Sequence, residues 1–450
     1  MFNLSVAIKK KFRVIISFAL IFISITLSTI SPAFGEDEES IFAPFTRVTL
    51  ENGLTIIVKE MHFAPIVAVD IRVGVGSAYE PPELRGISHF VEHMFFKGTK
   101  RRQVGEIARE IKAVGGYINA GTSLDTTDYY VVAPSAYTDL VLDVTADALQ
   151  HSSFDPAEID RERKVILEEI RMRQDNPGTR MSDQIRLELL KGTPYANNII
   201  GTAETLGNID REALLTYFQK YYVPNNIIVA VVGDVDTQIV IAHLMELLKD
   251  FKPGEAPSLP AFEISQPTGS ARFEIEDDIS QYFICFGFSV PSFLSEDSPA
   301  LEILRAILDG GRSARLGKLY SEGLIINKSA EYSSFRELGV FSIFAATQTP
   351  TVVEKRIQEI LSEIIEEGVS EEEVAIAKAI IRTGYAMEAE RAFSMACMMS
   401  RYEELSSLED RIRYEQALAE VTKEDVQRVA EKYVNPQQAT VFILKPKEAK

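Results

Sequence analysis

Two distant segments of the chain share one pattern of hydrophobic and polar positions. Each begins with a residue type that often caps a helix, Asp210 or Thr422, and continues with apolar positions at helical spacing. A proline, Pro224 or Pro436, then stops the helix, and a β-rich run typical of a buried strand follows. Because the pattern recurs at a constant offset of 212 positions (422 − 210), it predicts two homologous domains, with a chance match as the alternative.

The first half of the chain mixes strand-like and helix-like runs without strict alternation. Arg47–Lys59 surrounds the turn signal Asn52-Gly53 and predicts a strand pair. Further strands are predicted over 66–74, 117–123 and 127–133, and helices over 86–97, 104–114, 135–151 and 155–174. This order is typical of the α+β class, so we expect each domain to be a mainly antiparallel sheet with helices packed on one face.

A stretch rich in proline and glycine separates the two halves. Residues 252–270 contain four prolines and two glycines, a composition typical of a linker. The predicted domains are therefore 41–251, which contains the candidate metal residues described below, and 271–450, a homologous domain without them.

The first 35 residues differ from the rest of the chain. Three lysines and an arginine at positions 9–13 precede the apolar run Val14–Leu27, and small residues follow it. This order predicts a secretory signal peptide over 1–35, with cleavage after Ala33 as the alternative to cleavage after Gly35. We therefore expect a periplasmic or extracellular protein without stable membrane insertion after cleavage, although an uncleaved anchor is the alternative.

The net charge of the chain argues against nucleic acid as a binding partner. The 450-residue chain has a formal net charge of −19, which becomes −23 without residues 1–35, since these hold four positive and no negative charges. Such an acidic protein is not expected to bind nucleic acid, which requires a basic surface.

The two cysteines, Cys285 and Cys397, lie in apolar runs and are interpreted as buried free thiols, with a disulfide as the alternative.

A short motif near position 90 predicts metal chemistry. His89 and His93 are four residues apart on a predicted helix, so both imidazoles project from one face and suit a tetrahedral zinc ion. Glu92 lies beside them, where its carboxylate can take a proton from a metal-activated water. The alternative is that the two histidines are ordinary polar residues of the helix.

A catalytic zinc ion needs a third protein ligand. On the helix predicted around 157–172, Glu162 and Glu169 are seven residues apart and share the apolar face, whereas Glu168 is turned about 100° away. Taken alone, these carboxylates are better explained as a solvated face that pairs with nearby arginines. His62 and His151 are rival ligands.

The motif and its surroundings resemble a known family. H-x-x-E-H is the inverted motif of the inverzincins. The flanking sequence, which extends from Asn52 to the segment Gly86–Thr99, resembles the pitrilysin (M16-type) zinc peptidases. Over nearly the whole mature chain the similarity is to their short bacterial branch, and to the β-subunit of the mitochondrial processing peptidase. In that family the third ligand is the last residue of an E-R-x-x-x-x-x-E motif on a helix, and this motif here runs from Glu162 to Glu169. The resemblance thus implies one zinc ion per chain, Glu169 as its third ligand and Glu162 as a catalytic-site carboxylate that orients the ligands.

The resemblance also implies where a substrate binds. Family members add peptides as an extra strand to a sheet edge, which would place the substrate against Asn119, Ala120 and Gly121. An ordinary glycine turn followed by a strand is the alternative. The implied activity is that of a zinc endopeptidase acting on peptides or unfolded segments.

One part of the family pattern is missing from the second half. Relatives carry an Arg and a Tyr there that help to polarise the scissile carbonyl. Here Ser321 stands at the Arg position, and Arg315 and Tyr332 have the wrong spacing. The resemblance therefore implies a dimer, and we expect a heterodimer with a zinc-less homologous subunit that supplies the pair. A homodimer is one alternative, and a non-catalytic or peptide-binding subunit of a heteromeric complex is another.

Overall fold

A computed structural model of the chain describes residues 40–255, 257–259, 261–262 and 271–447. The predicted signal peptide, parts of the predicted linker and the last three residues lie outside the described residues. The strands are β1 (Thr46–Thr49), β2 (Thr55–Glu60), β3 (Ile66–Val73), β4 (Tyr117–Thr122), β5 (Thr127–Pro134), β6 (Ile227–Gly233), β7 (Ala271–Asp277), β8 (Tyr282–Val290), β9 (Asn327–Ser334), β10 (Gly339–Thr347) and β11 (Thr440–Pro446).

Helices make up most of the remaining described chain. They are α1 (Ile87–Phe95), α2 (Glu106–Ala113), α3 (Thr138–His151), α4 (Pro156–Asp175), α5 (Pro177–Leu189), α6 (Ala203–Asn208), α7 (Arg211–Tyr221), α8 (Thr237–Leu247), α9 (Ser298–Asp309), α10 (Arg315–Ser321), α11 (Pro350–Glu366), α12 (Glu371–Ala389), α13 (Ala392–Leu405), α14 (Leu408–Glu420) and α15 (Lys423–Tyr433).

The strands form two sheets with the same internal plan. The first has the order β1-β2-β6-β3-β5-β4 and the second β7-β11-β8-β10-β9. Each sheet contains one parallel pair, β2 with β6 and β7 with β11, and its other pairs are antiparallel. The predicted α+β class with two mainly antiparallel sheets is confirmed, and β4 lies at an edge of the first sheet.

The repeated helix–stop–strand unit has the predicted structure in both places. Asp210 caps α7 by accepting the Ala213 N–H, and Thr422 caps α15 by accepting the Asp425 N–H. A short 3₁₀ turn begins at the proline after each helix and leads into β6 or β11. The two parallel strand pairs therefore occupy equivalent positions in the two sheets.

Each sheet has a hydrophobic core on the face that carries helices of its own half. In the first sheet, Ile71 and Val231 lie in one buried cluster with Phe90 of α1 and Leu142 of α3. The second sheet has the corresponding cluster with α9, α11 and α15. α1 therefore packs on this helix-bearing face of the first sheet, next to the edge strand β4.

The opposite face of each sheet is covered by a helix from the other half of the chain. Met395 and Met399 of α13 lie in one buried cluster with Ala68 and Ala230 of the first sheet. In the same way α5, which follows α4, packs on β8 and β11 of the second sheet. A Cβ at Gly287 of β8 would lie 2.5 Å from an Ile185 methyl carbon, so glycine is needed for this close contact. The two halves therefore exchange one helix each, and the predicted domain boundaries stay a prediction.

Two further expectations concern cysteines and the membrane. Both thiols are free, which confirms that they are not paired; Cys285 is buried as expected, whereas Cys397 is only half-buried. Among the described residues, we find no helix whose length and apolar character would let it span a bilayer.

Candidate metal centre

Two neighbouring turns of α1 present the predicted histidine ligands. His89 and His93 project from one face of this nine-residue helix, and their ring centroids are 4.6 Å apart. The opposite face of α1 is apolar, and Phe90, Val91 and Met94 are fully buried in the core of the first sheet. The packing of α1 therefore turns both imidazoles towards α4, with which α1 is in contact.

The third predicted ligand comes from α4. Buried residues Ile159, Ile166 and Ile170 fix the orientation of this helix, so that Glu169 faces α1. Its Oε2 lies 3.6 Å from Nε2 of His89 and 3.7 Å from Nε2 of His93.

The neighbouring carboxylate is directed elsewhere. Glu168 is exposed and pairs with Arg171 on its own helix. The structure thus brings together the three residues that the sequence predicts, and their role as metal ligands stays a prediction.

The other carboxylate of α4 holds one of the histidines. Glu162 Oε2 lies 3.0 Å from Nδ1 of His93, and its Oε1 accepts a hydrogen bond from Lys97 at 2.5 Å. Burial would raise the pKa of Glu162, but the contacts with Lys97 and His93 lower it below the ordinary value. Glu162 therefore carries a negative charge that fixes the His93 ring and leaves Nε2 directed at Glu169.

The local charges suit a cation between these side chains. Burial and then the neighbouring His93 lower the pKa of His89 to about 4, which keeps this imidazole neutral as a metal ligand must be. Burial also lowers the pKa of His93, but contacts with Glu169 and Glu162 outweigh it and raise the pKa. The negative potential that favours a proton on His93 would equally favour a divalent cation.

The predicted base lies at the boundary between α1 and the edge strand. Glu92 is half-buried, and its Oε2 accepts a hydrogen bond from the Thr122 hydroxyl at 2.5 Å. The Thr122 contact lowers the pKa of Glu92, but burial has the larger effect and raises the pKa to about 7. A carboxylate with a pKa near neutrality suits a group that accepts and returns a proton.

The predicted substrate strand is the one that carries Thr122. Asn119, Ala120 and Gly121 lie in β4, which pairs with β5 on one side and is the edge of the sheet on the other. The Ala120 N–H donates to Oδ1 of Asn119 at 3.0 Å, a contact that an added strand could replace. Peptide binding at this edge stays a prediction.

The rival histidines are not part of this cluster. His62 is exposed and contacts Glu60 and Asp234, and His151 lies 3.3 Å from Asp147. Among the described residues, the group whose ligand atoms lie within 4.8 Å of one another consists of His89, His93 and Glu169.

The possible substitutes for the missing Arg/Tyr pair have other partners. Arg315 is paired with Glu373, and the Tyr332 hydroxyl donates to Ser298, within the second half. Ser321 ends α10, where its hydroxyl donates to the Gly317 carbonyl oxygen.

Sequence reasoning missed two supporting side chains, Thr122 and Lys97. Lys97 follows His93 by four residues, so helical spacing could have placed it near the same carboxylate. Thr122 ends the strand predicted to bind substrate, but no local pattern linked it to Glu92 because the two are thirty positions apart.

The donor set fits a zinc ion. Two imidazole nitrogens and one carboxylate oxygen are ligands that zinc uses in catalytic sites with an open fourth position. Tetrahedral zinc with ligands at about 2.0–2.2 Å places ligand atoms roughly 3.4 Å apart. The observed separations of 3.6 and 3.7 Å are close to this value.

Comparison with known proteins gives consistent results. The model of the insulinase family (peptidase family M16) matches residues 55–203, and that of the peptidase M16 inactive domain matches residues 208–381. A Rickettsia felis protein described as an uncharacterised zinc protease is 34% identical, over 77% of this chain and 84% of its own length. A probable mitochondrial-processing peptidase subunit beta from Arabidopsis thaliana is 31% identical, over 70% of this chain and 62% of its own. The crystal structure of a Helicobacter pylori protease has a TM-score of 0.84 and 25% identity, and it covers 90% of this chain and 100% of its own.

Proposed function

Because the chain belongs to peptidase family M16, whose members include zinc proteases, we propose that it is a zinc-dependent endopeptidase that hydrolyses peptides or unfolded polypeptide segments. The observation that carries the proposal is the convergence of His89, His93 and Glu169, with Glu92 beside them and an open strand edge next to Glu92.

His89, His93 and Glu169 would hold one zinc ion per chain. When bound, zinc supplies a Lewis acid that polarises a carbonyl group and makes water more acidic. Glu162, which is itself held by Lys97, fixes the His93 ring, so this ligand does not rotate.

Glu92 would act as the general base and then as the general acid. Its carboxylate accepts a proton from the attacking water and returns it to the leaving amine. The Thr122 hydroxyl holds Oε2, which leaves the other oxygen of Glu92 free for the proton.

The substrate would add to β4 as a further strand. Backbone pairing with Asn119–Gly121 would bring a peptide bond next to Glu92, because Thr122 of the same strand contacts this base. Recognition through the backbone requires an extended chain, so peptides and unfolded segments are the proposed substrates.

The active assembly would be a dimer, and we favour a heterodimer with a homologous subunit that supplies an Arg/Tyr pair. Arg315 and Tyr332 are bound within the second half, which supports a partner as the source of this pair. The Arabidopsis relative is itself named as a subunit. Measuring the size of the purified chain together with its peptidase activity tests this, since full activity of the chain alone would defeat the heterodimer.

The same lack of an Arg/Tyr pair favours a second candidate function, a non-catalytic or peptide-binding subunit of a heteromeric complex. Zinc content combined with a library of quenched-fluorescence peptides separates the two functions. Bound zinc and bound peptide without cleavage, even with the partner present, would favour the second.

We also propose export to the periplasm or the extracellular space. Sequencing the N-terminus of the protein recovered from each cell fraction tests this proposal.

Two variants test the proposed chemistry directly. Glu92→Gln should abolish hydrolysis but keep one zinc per chain, because Glu92 is not a ligand. Glu169→Gln should lose zinc, and Glu168→Gln is the matched control, since Glu168 is exposed on the same helix. Metal analysis and peptide hydrolysis are measured for all three, and retained zinc in Glu169→Gln would exclude Glu169 as a ligand.

A further inference from the structure

The first turn of α1 is held by a buried carboxylate from outside the helix. Glu80 lies in the loop before α1 and is 6% exposed. Its Oε2 accepts the Gly86 N–H at 2.7 Å, and its Oε1 accepts the Ser88 N–H at 2.8 Å. These are N–H groups that a helix start leaves without an intrahelical acceptor. Glu80 therefore acts as the cap of the helix that carries both histidines.

The helix has no capping side chain of its own. Its N-cap residue is Gly86 with φ 95°, and a Cβ at this position would lie 2.7 Å from the Ile200 carbonyl oxygen. A Ser, Thr or Asp cap is therefore excluded at position 86. Because a nine-residue helix is marginal by itself, the placement of its first turn depends on contacts from the surroundings.

The two histidines of α1 are held in different ways. Nδ1 of His93 is bound to Glu162, which fixes its ring. Nδ1 of His89 is buried and has no hydrogen-bond partner among the described residues. Histidine ligands usually need such a contact to fix the ring. The orientation of the His89 ring therefore depends on the position of the α1 backbone that carries it. Ser88, whose N–H donates to Glu80, directly precedes His89 in this backbone.

Burying a carboxylate at position 80 costs free energy of folding, so stability alone does not explain Glu80. Burial raises the pKa of Glu80 to about 8, and the N–H contacts of Gly86 and Ser88 offset only part of the cost of its charge. A second contact secures the same turn, since Ser88 Oγ lies 2.7 Å from the Tyr217 hydroxyl. Both contacts end on the residue before His89.

We propose that Glu80 is a positioning residue for zinc binding, which fixes the first turn of α1 and so directs the His89 ring towards His93 and Glu169. This role rests on the proposed zinc site and involves no contact between Glu80 and the metal.

The test compares zinc affinity and helix order in Glu80→Gln and in the unchanged chain. Glutamine offers one acceptor oxygen, so one of the two N–H groups would face an amide NH₂ group. We expect zinc binding, measured by competition with a chelator, to weaken about 10- to 100-fold. Amide hydrogen exchange of the zinc-free protein should become faster over residues 86–95. Asp297→Asn is the control, because Asp297 is a buried acid in the second half whose partners are Arg428, Lys432 and Tyr433.

The outcomes distinguish this role from the proposed function. Absence of zinc binding by the unchanged chain would overturn the proposed function and, with it, the role of Glu80. Zinc binding by Glu80→Gln within twofold of the unchanged chain, or an equal loss in Asp297→Asn, would overturn the role of Glu80 alone. Should Glu80→Gln not fold, Glu80→Asp takes its place with the same expectations. Failure of both to fold while Asp297→Asn folds would also overturn the role, since Glu80 would then serve the whole fold.

Discussion

Replacing Thr122 with valine tests how the candidate base is held. Valine keeps the shape of threonine but lacks the hydroxyl that donates to Glu92 Oε2 at 2.5 Å. Because Glu92 is half-buried, water replaces this contact incompletely. A hydrogen bond to a charged group contributes about 1.5–3 kcal/mol, and about 1.4 kcal/mol corresponds to a factor of ten in rate. We expect Thr122→Val to lower kcat about 10- to 150-fold with little change in KM, since Thr122 acts through the base.

The assay is the hydrolysis of a quenched-fluorescence peptide at full zinc occupancy, in the preparation that shows peptidase activity. Thr122→Ser keeps the hydroxyl and should restore most of kcat. The matched control is Thr127→Val, because Thr127 lies opposite Thr122 in the strand register and its hydroxyl donates to the Val75 carbonyl oxygen at 2.9 Å. This control should lower the free energy of unfolding by about 1–3 kcal/mol and leave kcat nearly unchanged.

Two results would refute this account of Thr122. A kcat of Thr122→Val within twofold of the unchanged chain would show that the hydroxyl does not hold Glu92. Equal losses in Thr122→Val and Thr127→Val would trace the effect to distortion of the β4–β5 hairpin.

Three further predictions follow from contacts around the site and in the second half. Lys97→Met removes the ammonium group that holds Glu162, and chelator competition should show zinc affinity about tenfold weaker. Asp125→Asn leaves one of two buried donors facing an amide NH₂ group, so urea unfolding should show a loss of about 1–3 kcal/mol, and an unchanged midpoint would contradict it. Burial would raise the pKa of Glu373, but Arg315 and the contacts of the helix cap lower it from 4.5 to about 2, so its stabilisation is complete above about pH 4.5 and is lost as the pH falls through about 2. Glu373→Gln should therefore lower Tm at pH 7, and its difference from the unchanged chain should shrink below pH 4.5; a difference independent of pH would contradict this.

The sequence predicted those parts of the site that follow local periodicity. His89 and His93 lie one helical turn apart, and Glu162 and Glu169 lie two turns apart, so each pair could be placed on one helix face. That the two helices meet was implied by the resemblance and not by the residues themselves. The repeated helix–stop–strand unit was also visible, because capping residues and prolines mark its ends.

The rest of the site depends on contacts that no local pattern records. Glu80 and Thr122 act through partners brought close by the loop before α1 and by the edge of the sheet. The exchange of α5 and α13 was not visible for a similar reason. An apolar stripe shows which face of a helix is buried, but it does not show against which of two similar sheets.

The helix exchange also matters for how the protein is made. The first sheet is complete in sequence when β6 ends at residue 233, but the helix that covers its second face begins only at residue 392. A chain that emerges N-terminus first would therefore present an uncovered apolar surface, with Ala68, Ala230 and Val232, throughout synthesis of the second half. Such surfaces aggregate in incompletely folded chains unless a chaperone covers them. A polypeptide kept unfolded until its synthesis is complete would avoid this hazard, because both sheets would meet their covering helices in the same folding event.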